Sequence, residues 1–206
     1  MMERPIIFST PMVRAILDGR KTHTRRYVKL QFLDGYNPEW TGYKPVFEYG
    51  KFFLAGSNGE PATKQVKPPF QPGDRLWVRE TWGKDDNGEY VYRANCGLTE
   101  DDSFPPSMFR WKPSIHMPKA AARIWLKVNA VWVDKVQNIS EDEARAEGCL
   151  PLLDRYGVVM IAARGVYHAR WDQGYARRGY GWGANPWVWV IEFEVLNHET
   201  SPSTRH

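Results

Sequence analysis

Cysteine is scarce in this chain. Its 206 residues hold two, Cys96 and Cys149. They are too few and too far apart for a disulfide framework or a thiolate metal site, so a reducing cytoplasm is the expected compartment. Long apolar runs are missing too. No stretch of about 18 apolar residues occurs, so no membrane-spanning helix and no membrane partner are expected. The short apolar run after Arg4 does not make a signal peptide. There is no strong excess of one charge: 28 Lys and Arg face 24 Asp and Glu, for a net charge of +4. That balance permits an anionic partner without demanding one. His116, His168 and His198 are scattered without metal-ligand spacing, so no metal and no cofactor are expected. No internal repeat appears, and no linker separates two cores. The expectation is one domain over residues 1–196, with insertions near 33–70 and 97–118 and a flexible polar tail at 197–206.

Tryptophan is abundant, with ten residues. Several sit beside basic side chains, in "RLWVRETW", "FRWKP" and "ARWDQ". Tryptophan beside arginine suits base stacking and cation–π contact, although a β-rich core also consumes tryptophans. Trp77, Trp82 and Trp111 are the stacking candidates. Trp187 and Trp189 share one face of the last strand, where core packing is the expected role.

The local patterns give an order of elements. In "STPMVRAILDG", Thr10 suits the N-cap and Pro11 the first helical position. Gly19 suits the left-handed stop. "KTHTRRYVKL" alternates and reads as a strand. Residues 33–72 are rich in Gly, Pro and Asn and read as loop, with one hairpin around "PVFEYGKFFLAG". "PGDRLWVRETW" is a turn and a strand that puts Leu76, Val78 and Glu80 on one face. "GEYVYRAN" and "AARIWLKVNAVWVDKVQNI" read as strands. "SEDEARAEG" reads as a short helix with capping-box spacing between Ser140 and Glu143, and Gly148 ends it. Residues 150–184 are ambiguous in pattern, and "ARWDQGYARRGYGWGANP" within them reads as irregular. "PWVWVIEFEVL" is a final strand. Short strands with few helices predict a mainly β, α+β fold of the partly closed barrel type with loop insertions.

The stretch "ILDGRKTHTRR" gathers Arg20, Lys21, Arg25 and Arg26 around two threonines and a histidine. Two readings stay open for it: a solvated turn, or a site that grips an anionic or base-like ligand. Glu80 shares its face with apolar neighbours and needs a partner. Arg25 or Arg26 is the expected one, either as a structural ion pair or as part of a group reading a base edge.

Taken in order, "ILDGRKTHTRR", "QPGDRLWVRE", "ISEDEARAEG" and the terminal "WVWVIEFEVL" resemble the ASCH domain of the PUA-like group. They are most similar to the longer ASCH-like proteins of bacteriophages and prophages. The resemblance implies a PUA-like β-barrel with a cleft between the first helix, its following strand and the barrel mouth. It implies a modified nucleoside or nucleic acid as ligand, RNA before DNA, in a bacterial cytoplasm. One bacterial branch is an amidohydrolase that removes the acetyl group from N4-acetylcytidine. Similarity to its motif places the catalytic lysine at Lys21, the threonine at Thr24 and the glutamate at Glu147. Arg20, Arg25, Arg26, Glu80 and the three tryptophans are then the ligand-binding candidates. A non-catalytic base-binding module is the alternative.

A Ser–Lys-type logic fits these residue types: a hydroxyl nucleophile is activated by a neutral amine. Lys21 would need a lowered pKa, and Glu147 would orient water or protonate the leaving nitrogen. Residues 21 and 24 point to opposite faces of an ideal strand. They converge only if Lys21 still belongs to the helix–strand turn, or if a bulge intervenes.

Overall fold

A computed structural model describes residues 2–28, 44–48, 51–55, 64–96 and 109–196. The tail expected at 197–206 and much of the two expected insertions lie outside the described residues.

The chain opens with strand β1 (Glu3–Ile7), followed by helix α1 (Thr10–Leu17) and strand β2 (His23–Tyr27). The helix starts one residue earlier than expected: Ser9 is the N-cap, and Pro11 sits in the first turn. Gly19 takes φ +70° and ends the helix as expected. Three strands form a separate small sheet: β3 (Lys44–Glu48), β4 (Lys51–Ala55) and β5 (Lys64–Val66). The hairpin read from "PVFEYGKFFLAG" is the β3–β4 pair, with Glu48 opposite Lys51. Next come β6 (Arg75–Arg79) and a short hairpin of β7 (Trp82–Lys84) and β8 (Tyr90–Tyr92). The long β9 (Trp125–Lys135) leads into helix α2 (Glu141–Ala146). The capping box is formed: Ser140 accepts from the Glu143 N–H, and the Glu143 carboxylate accepts from the Ser140 N–H. β10 (Leu152–Leu153) and β11 (Val159–Ile161) form a projecting hairpin whose apolar side chains are exposed. Helix α3 (Ala163–Tyr175) and strand β12 (Trp187–Leu196) complete the order.

The region 150–184 is thus more regular than its composition suggests. Ala163, Tyr167 and Trp171 are the buried residues of α3. Their four-residue spacing is one stripe of a helix. Gly165, Gly174 and the polar residues between them obscure that stripe in the sequence.

The main sheet runs β1-β6-β9-β12-β2. Only β1 and β6 pair in parallel; the other three pairings are antiparallel. The sheet is open among the described residues, so the fold is mainly β with α+β character rather than a closed barrel. β12 buries both of its faces. Trp189, Ile191 and Phe193 join α1, β6 and β9 in one core. Val188 and Val190 join α2 and α3 in a second. Trp187 and Trp189 pack against the first core, the role expected of them. β2 is the last strand of the sheet, and α1 and α3 flank it from opposite faces.

Helix α3 begins without a side-chain cap of its own. Glu141 of α2 supplies one: its carboxylate accepts from the N–H groups of Ala163 at 2.7 Å and Arg164 at 3.0 Å. Those bonds hold Glu141 below its ordinary pKa of 4.5. A carboxylate lowered in the folded state stabilises above its unfolded pKa. That contribution disappears as pH falls through the lowered value. Glu141→Gln is therefore expected to be less stable than the parent at pH 7, with the difference shrinking at pH 3. Denaturant midpoints at the two pH values check this. A difference that persists at pH 3 would remove the charged cap from the explanation.

Candidate active site

The turn between α1 and β2 is stitched to three other elements. The N–H groups of Arg20 and Lys21 both donate to the Ala15 carbonyl of α1. The Thr22 N–H donates to Ala146 of α2 at 2.8 Å, and the Thr22 carbonyl accepts from Phe193 of β12 at 2.9 Å. Lys21 itself pairs with Glu147 in an isolated antiparallel bridge. It therefore precedes β2, which begins at His23, and belongs to the turn. The opposite-face objection to Lys21 and Thr24 does not arise.

Lys21 is buried, with a side chain that is 0% exposed against 4% for Glu147. Its Nζ donates to Glu147 Oε2 at 2.6 Å, to the Glu147 carbonyl at 3.0 Å and to the His23 carbonyl at 2.7 Å. Three acceptors match the three N–H groups of an ammonium. Burial pushes the Lys21 pKa down, and the Glu147 carboxylate works against that shift. Arg25 reaches the same carboxylate from β2, with Nη1 3.5 Å from Glu147 Oε1. Its Nη2 lies 2.9 Å from Glu143 Oε1. That contact is an ion pair poorly aligned for a hydrogen bond, since Nη2 satisfies no hydrogen-bond geometry among the described residues. Glu143 sits below its ordinary pKa. Burial pushes it up, but the Ser140 N–H and the Arg25 guanidinium outweigh that. Glu143 and Glu147, four residues apart and so on one side of the chain, together claim Arg25.

A small cleft open to solvent lies beside this cluster. Thr24, Arg25, Arg26 and Glu147 line one wall; Met12 of α1 and Tyr167, Arg170, Trp171 and Tyr175 of α3 line the rest. The register explains why both flanks contribute. Thr24 lies opposite Ile191 and Arg25 opposite Val190. Residues directly opposite share a face, so Thr24 faces the α1 side and Arg25 the α3 side. The cleft follows the β2 edge, where both faces meet. Arg26 spans it, donating to the Ile7 carbonyl at 2.8 Å and to the Tyr175 hydroxyl at 3.5 Å.

The structure gathers Thr24, Arg25, Arg26 and Glu147 at the cleft, with Lys21 directly behind Glu147. The other candidates lie elsewhere. Glu80 is buried, but its partner is Arg123, not Arg25 or Arg26. The pair is bidentate at 2.8 and 3.0 Å, with the Arg123 guanidinium stacked 4.1 Å from the Tyr92 ring. The sheet order gives the reason: β9 and β12 stand between β6 and β2. Three strand spacings put about 14 Å between them, too far for the expected ion pair. Trp77 lies on β6 beneath the Arg79 guanidinium. Trp82 is buried with Met117 and Ala121 in a third, small core. Trp111 faces Arg93 and Phe109. None of the three lines the cleft. Arg20 turns to Asp18 at 2.6 Å and to the Gly148 carbonyl at 3.3 Å. The aromatic rings that line the cleft are instead Trp171, buried in the second core, and the half-buried Tyr175, 4.3 Å apart. The signal for them was the spacing of Tyr167, Trp171 and Tyr175, read as irregular chain because of the glycines around it.

The sequence matches no family model and no curated protein. Among solved structures, the chain is similar to an ASCH domain from Lactobacillus crispatus JV V101. That alignment has 12% identity and a TM-score of 0.43, and covers 96% of this chain and 81% of the other. It is also similar to a DUF984-family protein from Enterococcus faecalis V583. There the identity is 11% and the TM-score 0.41, with 100% and 87% of the two chains covered. No described helix is long and apolar enough to cross a membrane.

Proposed function

We propose that the protein is a nucleobase-directed amidohydrolase that cleaves the acyl group from an N4-acylated cytidine or a related modified nucleoside. One observation supports this reading above the others. Thr24 and Glu147 line the same cleft, and Glu147 is 2.6 Å from the buried Lys21 ammonium. In this scheme a proton passes across that short contact and leaves a neutral amine and a carboxylic acid. The amine then accepts the Thr24 proton as the hydroxyl oxygen attacks the acyl carbon. The Glu147 acid protonates the departing N4 nitrogen. Water hydrolyses the resulting ester on Thr24 and releases the carboxylic acid. Tyr175, half-buried on the cleft wall, offers a ring against which a base stacks.

The test is chromatographic detection of cytidine released from N4-acetylcytidine. The parent is expected to turn over, and Thr24→Val, close in shape, is expected to lose about a thousandfold or more in kcat. Turnover by a folded Lys21→Ala variant equal to the parent's would sink this assignment.

A second reading rests on the cations: Arg26 and Arg170 line the cleft, and Arg177 and Arg178 are exposed just beyond α3. On this reading the domain holds a modified base within RNA or DNA without chemistry. It is favoured if no turnover occurs and polymer affinity falls steeply with salt as phosphate contacts release counterions.

A further inference from the structure

The wall formed by α3 carries polar groups that the hydrolytic scheme above does not use. Tyr167 is 5% exposed, yet its hydroxyl meets no hydrogen-bond partner among the described residues. The same holds for Nε of Arg25, which is 2% exposed, and for the buried Nη1 of Arg170. A buried donor without an acceptor costs on the order of 1–3 kcal/mol, so one such group requires a reason. Here four such atoms, with Arg25 Nη2 the fourth, belong to three side chains that line one cleft. Two come from α3, at positions 167 and 170, one helical turn apart, and the third comes from β2.

All three are donors, and the charge around them is positive. Glu143 and Glu147 are engaged by Arg25 and Lys21. Arg26 and Arg170 line the cleft with no carboxylate partner among the described residues. Burial keeps the Tyr167 phenol well above its ordinary pKa, so it stays protonated and remains a donor. A ligand that fits must bring an oxygen that is anionic or becomes so.

We propose that Tyr167, Arg25 and Arg170 form an oxyanion site in the cleft, which binds the acyl oxygen of the substrate as it acquires charge and the carboxylate of the released acid afterwards. The proposal rests on the hydrolytic reading for the first ligand but not for the second. Attack on the acyl carbon moves the carbonyl π electrons onto oxygen. Preorganised donors in a water-poor site stabilise that charge without reorganising. Tyr167 is then a catalytic residue supplied by a helix that the motif positions at Lys21, Thr24 and Glu147 do not include.

Tyr167→Phe separates this role from a structural one. The hydroxyl has no partner to lose among the described residues, so the variant is expected to unfold at the same temperature as the parent or higher. Its kcat for N4-acetylcytidine is expected to fall about a hundredfold with KM nearly unchanged, the effect of removing one oxyanion donor. Calorimetric titration with sodium acetate, at ionic strength held constant with sodium chloride, gives an arm independent of turnover. Acetate is expected to bind the parent and to bind Tyr167→Phe about tenfold more weakly. If N4-acetylcytidine is not cleaved but acetate binding shows that loss, the anion site stands and the hydrolytic reading falls. Unchanged kcat with unchanged acetate affinity, or a variant that loses stability, overturns the anion site itself.

Discussion

Lys21→Met is expected to lower the unfolding free energy by about 3–5 kcal/mol, the cost of stripping one member from a buried ion pair. An exposed pair would cost at most about 1 kcal/mol. The difference lies in burial, since neither side chain keeps appreciable contact with water. The Glu147 carboxylate would retain Arg25, but at 3.5 Å and in competition with Glu143. Glu147→Leu is expected to cost as much or more, because Lys21 would keep only the two carbonyl acceptors. The double variant is expected to recover most of the loss, since a buried pair replaced by apolar residues of similar size is often neutral. Arg25 keeps Glu143 in that background. Chemical denaturation of the four proteins closes a double-mutant cycle. Additive single effects, with no coupling, would show that Lys21 and Glu147 do not hold each other in solution.

Gly148→Ala is expected to cost about 2–5 kcal/mol and to displace Lys21. Gly148 takes φ +82°, which costs a residue with a Cβ about 1–2 kcal/mol. Its added carbon would also lie 2.6 Å from the Ala15 Cβ and 3.2 Å from the Lys21 Cβ. Relieving that overlap adds roughly 1–3 kcal/mol. Gly88 is the control: its φ is +84°, and nothing lies within 4 Å of the carbon an alanine would add. Gly88→Ala is expected to show the backbone cost alone and to leave activity unchanged. Equal destabilisation by both substitutions would remove steric packing of the turn from the account.

Much of this architecture was legible locally. The capping box at Ser140 and Glu143, the Gly19 stop, and the alternation in β6 and β12 each depend on neighbours a few residues away. Lys21, Thr24 and Glu147 were singled out through resemblance of their motifs, and the turn that holds Lys21 ahead of β2, behind Glu147, was foreseeable from Gly19. What the sequence hid was long-range. Glu80 and the two arginines have complementary charges, yet strand order separates them, and strand order is not written in any one segment. The stacking surface was sought among tryptophans beside basic residues on strands. The aromatic rings that line the cleft come instead from α3, where two glycines and several polar side chains dilute the buried stripe below easy recognition. Open hydrogen-bonding capacity at Tyr167 and Arg170 has no sequence signature at all, because it depends on which acceptors are missing from the folded surroundings.

The placement of β12 between β9 and β2 has a consequence for the timing of biosynthesis. Synthesis proceeds from the N-terminus, so the segment carrying Thr24 and Arg25 leaves the ribosome long before its sheet partner. Until residues 187–196 emerge, β2 lacks its one partner among the described strands, and the bridge from Lys21 to Glu147 must span 126 positions. Closing loops of that length is slow compared with local helix formation. A nascent chain therefore carries its basic segment without a formed cleft until β12 inserts between β9 and β2.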